Sequence, residues 1–152
     1  MMNEWESRFA KRMSQLRESC GSQFEEMFTA EVLPAFETMA SFVATGGITA
    51  AIADGCHEVR SFSFTLSEDC GLHVVFTLKG PYEVEASYSI NSIHGTDDRV
   101  PLERVSLSGM TEGWARKQFE IALDEFIDQA EKMISADQQQ TLPPAGAQEA
   151  AA

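Results

Sequence analysis

Residues 61–90, SFSFTLSEDCGLHVVFTLKGPYEVEASYSI, contain the pattern that decides the fold of this chain. Large apolar side chains alternate with small or polar ones in three successive runs, and turn-forming segments separate these runs at 68–71 and 79–81. Alternation with a period of two is typical of strands that bury one face. Three such strands joined by short turns predict an antiparallel sheet.

The register of the two predicted hairpins follows from keeping the apolar residues together. Directly opposed residues of an antiparallel pair share a face, so Phe64 is predicted to pair with Val74 and Phe76 with Val84. Gly71 closes the first turn, where a left-handed residue is expected.

Before the sheet, apolar residues recur every three or four positions, which indicates a long amphipathic helix. Asn3 and Glu6 have the spacing of a capping box, so this helix is predicted to begin directly after Asn3. Pro34 lacks an N–H group and predicts a kink or break just before it. The glycine pair at 46–47 is expected to end the helix, and residues 48–54 fit one more helical turn. The apolar stripe of the first helix consists of Trp5, Phe9, Met13, Leu16, Cys20, Phe24, Met27 and Phe28.

The C-terminal part of the chain predicts one more strand and one more helix. The strand is expected at 102–108, and Thr111 is a favourable N-cap for the helix that follows it. From residue 137 onward, glutamine, proline and alanine replace the periodic pattern, which favours a disordered tail. The predicted fold class is therefore α+β in the order α-β-β-β-β-α: a four-stranded antiparallel meander with a long kinked N-terminal helix and a C-terminal helix on one face. Residues 1–136 are expected to form a single domain.

Charge and cysteine content restrict the partners and the compartment. The 152 residues include 24 Asp plus Glu and 11 Lys plus Arg, for a net charge of −13. Such a surface repels phosphate, so neither direct nucleic-acid binding nor a membrane partner is expected. Three widely spaced cysteines and the lack of an apolar signal or spanning segment favour a cytoplasmic protein with reduced thiols.

The chain contains no phosphate-binding glycine loop, nucleophile elbow or metalloprotease motif, so an enzyme is not the favoured interpretation. The pairs at 56–57 and 70–73 combine cysteine and histidine, but the hairpin register separates them, so neither a metal site nor a cofactor is expected. The loop 91–99 gathers His94, Asp97 and Asp98, in which a histidine next to carboxylates forms a candidate general base. No nucleophile accompanies these residues.

Two surfaces are candidates for binding a partner. The first helix is longer than the predicted sheet is wide, so its N-terminal end, with Trp5, Phe9 and Met13, is expected to overhang the domain. The outward face of the sheet is a solvated face in the simplest interpretation and an interface in the functional one. The candidate residues on that face are Thr65, His73, Val75, Thr77, Glu83 and Glu85.

These features favour a non-enzymatic interaction protein, an acidic chaperone or adaptor that acts as a homodimer through the first helix or the open sheet face. Its second partner would be another protein that is basic or prone to aggregate. Two alternatives remain: an acidic nucleic-acid mimic that occupies a DNA-binding protein, and a small enzyme that uses the His94 loop.

Overall fold

The structure is a computed structural model that describes residues 3–53, 58–92, 95–96 and 98–141. The fold is α+β, with the helices packed on one face of an antiparallel sheet. The helices are α1 (Glu4–Met27), α2 (Leu33–Ala44) and α3 (Glu112–Thr141). Shorter helical turns are a π-helical turn at Phe28–Val32 and a 3-10 turn at Leu107–Gly109. The strands are β1 (Thr49–Ala53), β2 (Val59–Ser67), β3 (Cys70–Lys79), β4 (Glu83–Ser92), β5 (Gly95–Thr96) and β6 (Val100–Ser106).

The beginning, the kink and the end of the long helical segment are confirmed. The Glu6 N–H donates to Asn3 Oδ1 over 2.8 Å, and the Glu6 carboxylate accepts from the Asn3 N–H, which forms the predicted capping box. The π-helical turn ends at Val32, and α2 begins at Leu33, directly before Pro34. Proline cannot donate to the preceding turn, and a local widening of the helix is one way to accommodate it. Gly47 adopts a left-handed φ of 88° where the helix ends.

In the described part of the chain the sheet has six strands, so the prediction of four is wrong. Neighbouring strands follow the order β1-β2-β3-β4, and both β6 and the two-residue strand β5 pair with β4. The helical turn predicted at 48–54 is wrong for the described residues of that segment, because Thr49–Ala53 pair with β2 as an edge strand. Three alanines in this strand carry little strand preference of their own, so pairing with β2 determines its conformation.

Both hairpins keep the predicted faces but differ from the predicted register by two residues. Phe64 pairs with Leu72, and Phe76 pairs with Ala86. The first turn is tighter than expected because a bulge between Thr65 and Ser67 absorbs one residue. This bulge leaves the Leu66 side chain 37% exposed. Gly71 is therefore a strand residue and does not have a left-handed φ; Gly80, in the second turn, has φ 66°.

The last strand and the last helix begin and end at different residues from those predicted. Strand β6 covers 100–106 instead of 102–108, and Leu107 is buried in the 3-10 turn that follows it. The Thr111 hydroxyl accepts from the Trp114 N–H over 3.2 Å, as expected of an N-cap. Helix α3 continues to Thr141, five residues into the predicted tail, and residues 142–152 lie outside the described residues.

Aromatic rings hold the helices on the sheet. The Phe119 ring of α3 lies 5.2 Å from that of Phe62 and 5.5 Å from that of Phe76, measured between centroids. Phe36 of α2 stacks on Phe62 at 4.4 Å. Edge and offset contacts of this kind add about 0.5–1.5 kcal/mol each to the burial of the rings. The core therefore lies between the sheet and the part of the helical segment that begins at Cys20.

Candidate functional site

The first candidate surface is the N-terminal part of α1, residues 3–19, which we call the overhang. Every residue of the overhang is exposed, and Cys20 is the first buried residue of the helix. Sixteen residues from Glu4 to Ser19 span about 24 Å of α-helix. The exposure of Trp5 and Phe9 agrees with the predicted overhanging end, whereas Met13 lines a groove against the sheet side.

The overhang continues the same apolar stripe that packs on the core. Cys20 and Phe24 are buried, whereas Trp5 is 58% and Phe9 50% exposed. The rings of Trp5 and Phe9 stack with centroids 5.1 Å apart. Together these two rings expose about 200 Å² of aromatic surface, given areas of about 150–250 Å² per aromatic side chain. Met13 and Leu16 continue this apolar stripe toward the domain, which makes the helix face a candidate interaction surface.

The overhang also carries a local charge opposite to that of the whole chain. It contains four basic residues, at positions 8, 11, 12 and 17, and three acidic residues, at 4, 6 and 18. None of the four basic side chains forms an ion pair with a described residue. The chain is acidic overall, so this basic and apolar segment is electrostatically distinct from the rest of the protein.

A groove lies at the base of the overhang, between α1 and the turn from β3 to β4. Its volume is about 390 Å³, and its apolar lining includes Met13, Leu16 and Cys20 on the helix and Leu78 and Pro81 on the sheet side. Arg17 and Glu58 line its polar part. Sequence reasoning missed this groove, because it depends on how α1 crosses the end of the sheet.

The second candidate surface is the outward face of the sheet. The pairing of β2, β3 and β4 brings all six predicted residues onto this face. Val75, however, is only 5% exposed, in the central strand between Ser61 and Ser87. Val75 therefore offers little contact area to a partner, and most of the contact area on this face comes from the residues around Val75. These are the exposed Thr65 and the half-buried His73, Thr77, Glu83 and Glu85.

Two of the carboxylates on the sheet face already have a partner. Arg104 of β6 donates from Nε to Glu85 over 2.8 Å, and its Nη1 lies 3.9 Å from Glu83. The hydrogen bond and charge of Glu85 raise the pKa of Arg104. Sequence reasoning missed Arg104, because the pairing of β6 with β4 places it beside these glutamates.

A third apolar surface lies between α2 and α3. Phe42, 72% exposed, and Ile127, 39% exposed, line a groove of about 500 Å³ with Met39 and Leu123. The sequence pattern assigns Ile127 to the core-facing stripe of α3, whereas the structure leaves it at the edge of this groove.

Two of the three candidate catalytic residues in the loop 91–99 lie outside the described residues. His94 and Asp97 belong to the undescribed part, and Asp98 is exposed. Cys56 and His57, of the cysteine and histidine pairs, also lie outside the described residues. Among described residues, no group of three or more His, Cys, Asp or Glu side chains is arranged to hold a metal ion. Burial raises the pKa of the Cys70 thiol, which reduces its thiolate fraction and thus its reactivity.

Comparison of the chain with protein-family models, with curated proteins and with solved structures found no match. In the described part of the chain, each helix is too short or too polar to cross a membrane.

Proposed function

We propose that this chain is a non-enzymatic interaction protein that acts as a homodimer joined through the overhang. The observation that carries the proposal is the exposure of Trp5 and Phe9 on a stripe that is buried from Cys20 onward. An apolar stripe on a surface helix is stable in water when another element covers it. A second copy carries the same stripe, and two-fold pairs of identical surfaces are the commonest form of oligomer.

The dimer would present an acidic surface to a further partner. The chain carries −13, and the overhang that the dimer covers carries +1 from its four basic and three acidic residues. The surface left outside the interface is therefore more acidic than the chain as a whole. Such a surface favours association with basic proteins, which supports an acidic chaperone or adaptor. Free thiols at Cys20 and Cys70 fit the proposed cytoplasmic location.

Light scattering over a range of about 1–100 µM tests the dimer. We expect a mass of about twice the 16.8 kDa of the chain, and a monomer across the whole range would refute it.

Aggregation assays test the chaperone part of the proposal. Reduced lysozyme is a basic client, and reduced α-lactalbumin is an acidic client that serves as a matched control. We expect this protein to delay aggregation of the basic client selectively and to lose that effect at high salt. Equal action on both clients, or on neither, would contradict an acidic chaperone.

A further inference from the structure

The overhang has a specific arrangement of charges along its two edges. At about 100° per residue, Glu6 and Arg17 lie on one edge of the apolar stripe, and Arg8 and Arg12 lie toward the other. Glu6 is near the start of the overhang, and Arg17 is near its base. The sign of charge on the first edge thus changes from negative to positive along the helix.

We infer that the two overhangs pair antiparallel about a two-fold axis, with each Trp5 docked in the partner's groove beside Leu16 and Cys20. The inference rests on the proposed dimer and adds its geometry and its contact residues. An antiparallel two-fold pair brings the same edge of both helices together with opposite directions. Glu6 then faces the partner's Arg17 twice, whereas a parallel pair brings opposite edges together, with Glu6 beside the partner's Arg8, and leaves Trp5 away from the partner's groove.

Two independent features give the same register. If Glu6 lies opposite the partner's Arg17, then Trp5 lies opposite position 18 of the partner. That position is between Leu16 and Cys20, the two residues that line the helix side of the groove. One antiparallel register therefore satisfies both the two charge pairs and the docking of Trp5.

Docking in the groove also supplies area that the two helices lack by themselves. A stable interface buries about 800 Å² on each partner, and two short helices in contact cover much less. In the antiparallel arrangement each Trp5 reaches Leu78 and Pro81 of the partner's body, since these residues line the same groove. The other edge brings Arg8 and Arg12 near the partner's basic residues, which opposes pairing, so the docking of Trp5 in the groove determines the antiparallel direction.

Charge reversal tests the direction through sedimentation equilibrium of the full chain. Arg17→Glu should raise the dimer Kd by about tenfold or more, because two attractive pairs become repulsive. Adding Glu6→Arg to that chain should lower the Kd again toward that of wild type, with an incomplete return because Glu6→Arg also removes the Glu6 half of the capping box. Failure of the second substitution to recover affinity would contradict the antiparallel pair.

Cross-linking gives the decisive result. In a chain whose three native cysteines are replaced by alanine, a short bis-maleimide should link a Glu6→Cys chain to an Arg17→Cys chain when the two are mixed. Neither variant alone should cross-link, since its two cysteines would lie about 16 Å apart along the pair. Links within one variant would indicate a parallel pair and overturn this inference while leaving the homodimer. A dimer by light scattering with no links in any mixture would show that the overhangs do not meet, and monomers of the wild-type chain would refute the proposed function itself.

Discussion

The rings of Trp5 and Phe9 stack with centroids 5.1 Å apart and planes inclined by 14°. Their spacing of four residues places them one turn apart on the same helix face, and both remain half exposed. The pair forms one continuous aromatic surface on the side of the helix that carries the apolar stripe.

The capping box should stabilise the overhang more than the domain. Asn3→Ala removes the acceptor of the Glu6 N–H, a change that typically costs about 1 kcal/mol of helix stability. We expect faster amide exchange in the first turn and weaker dimerisation, with the urea midpoint of the monomeric core unchanged. Asn3→Ser keeps an acceptor and should behave as wild type. Equal effects of both substitutions would contradict a role for the cap.

Phe126 should be essential for attaching α3 to the core. It is fully buried, and Phe126→Ala should lower the free energy of unfolding by about 3–5 kcal/mol. Ile134→Ala is a control on the same helix, since Ile134 is 54% exposed. Urea denaturation measures both, and a cost below about 1 kcal/mol for Phe126→Ala would show that α3 is placed wrongly.

Removal of residues 137–152 should leave the domain intact. Ala130 is the last residue of α3 that is buried among those whose side chains are described, so the deletion takes away helix that follows the packed part. We expect the melting temperature to change by less than about 2 °C, which corresponds to under about 1 kcal/mol for a domain of this size. A larger loss would mean that this segment packs on the domain.

Alkaline pH should reduce stability through Tyr88. Burial and the charge of Glu125 raise its pKa above the ordinary value of 10.0. Its neutral phenol therefore stabilises the folded state below about pH 10, and that contribution is lost as the pH rises through the raised pKa. The free energy of unfolding, measured from pH 8 to 11, should fall less steeply in Tyr88→Phe. Tyr82→Phe, at an exposed phenol, is the control. Equal pH dependence of the free energy of unfolding in both variants would contradict the role of Tyr88.

Sequence periodicity predicts the faces of the strands better than their ends. A shift of two residues keeps every side chain on its own face, so the hydrophobic pattern distinguishes poorly between Val74 and Leu72 as the partner of Phe64. Turn geometry determines which residue pairs with Phe64, and the bulge at Leu66 has no clear signal in the sequence. Strand β1 was missed because its three alanines lack an apolar alternation.

The candidate site could likewise be predicted from the sequence only in part. The overhang could be predicted, since the length of an amphipathic stripe can be compared with the width of a sheet before the fold is known. The groove beside Leu78 and Pro81, and the pairing of Arg104 with Glu85, could not. Both depend on how separate elements approach each other, which periodicity within one element does not specify.

Sedimentation equilibrium of three matched variants tests the central claim most directly. Trp5→Glu and Phe9→Glu each place a charge in the proposed interface, where an unpaired charge costs several kcal/mol. We expect each to raise the dimer Kd by at least about 100-fold with little change in the free energy of unfolding of the monomer. Phe42→Glu introduces the same charge at an apolar residue that is even more exposed, and it should leave the Kd within about threefold of wild type. The account would be contradicted if wild type were monomeric, if the overhang variants dimerised normally, or if Phe42→Glu weakened the dimer as much as they do.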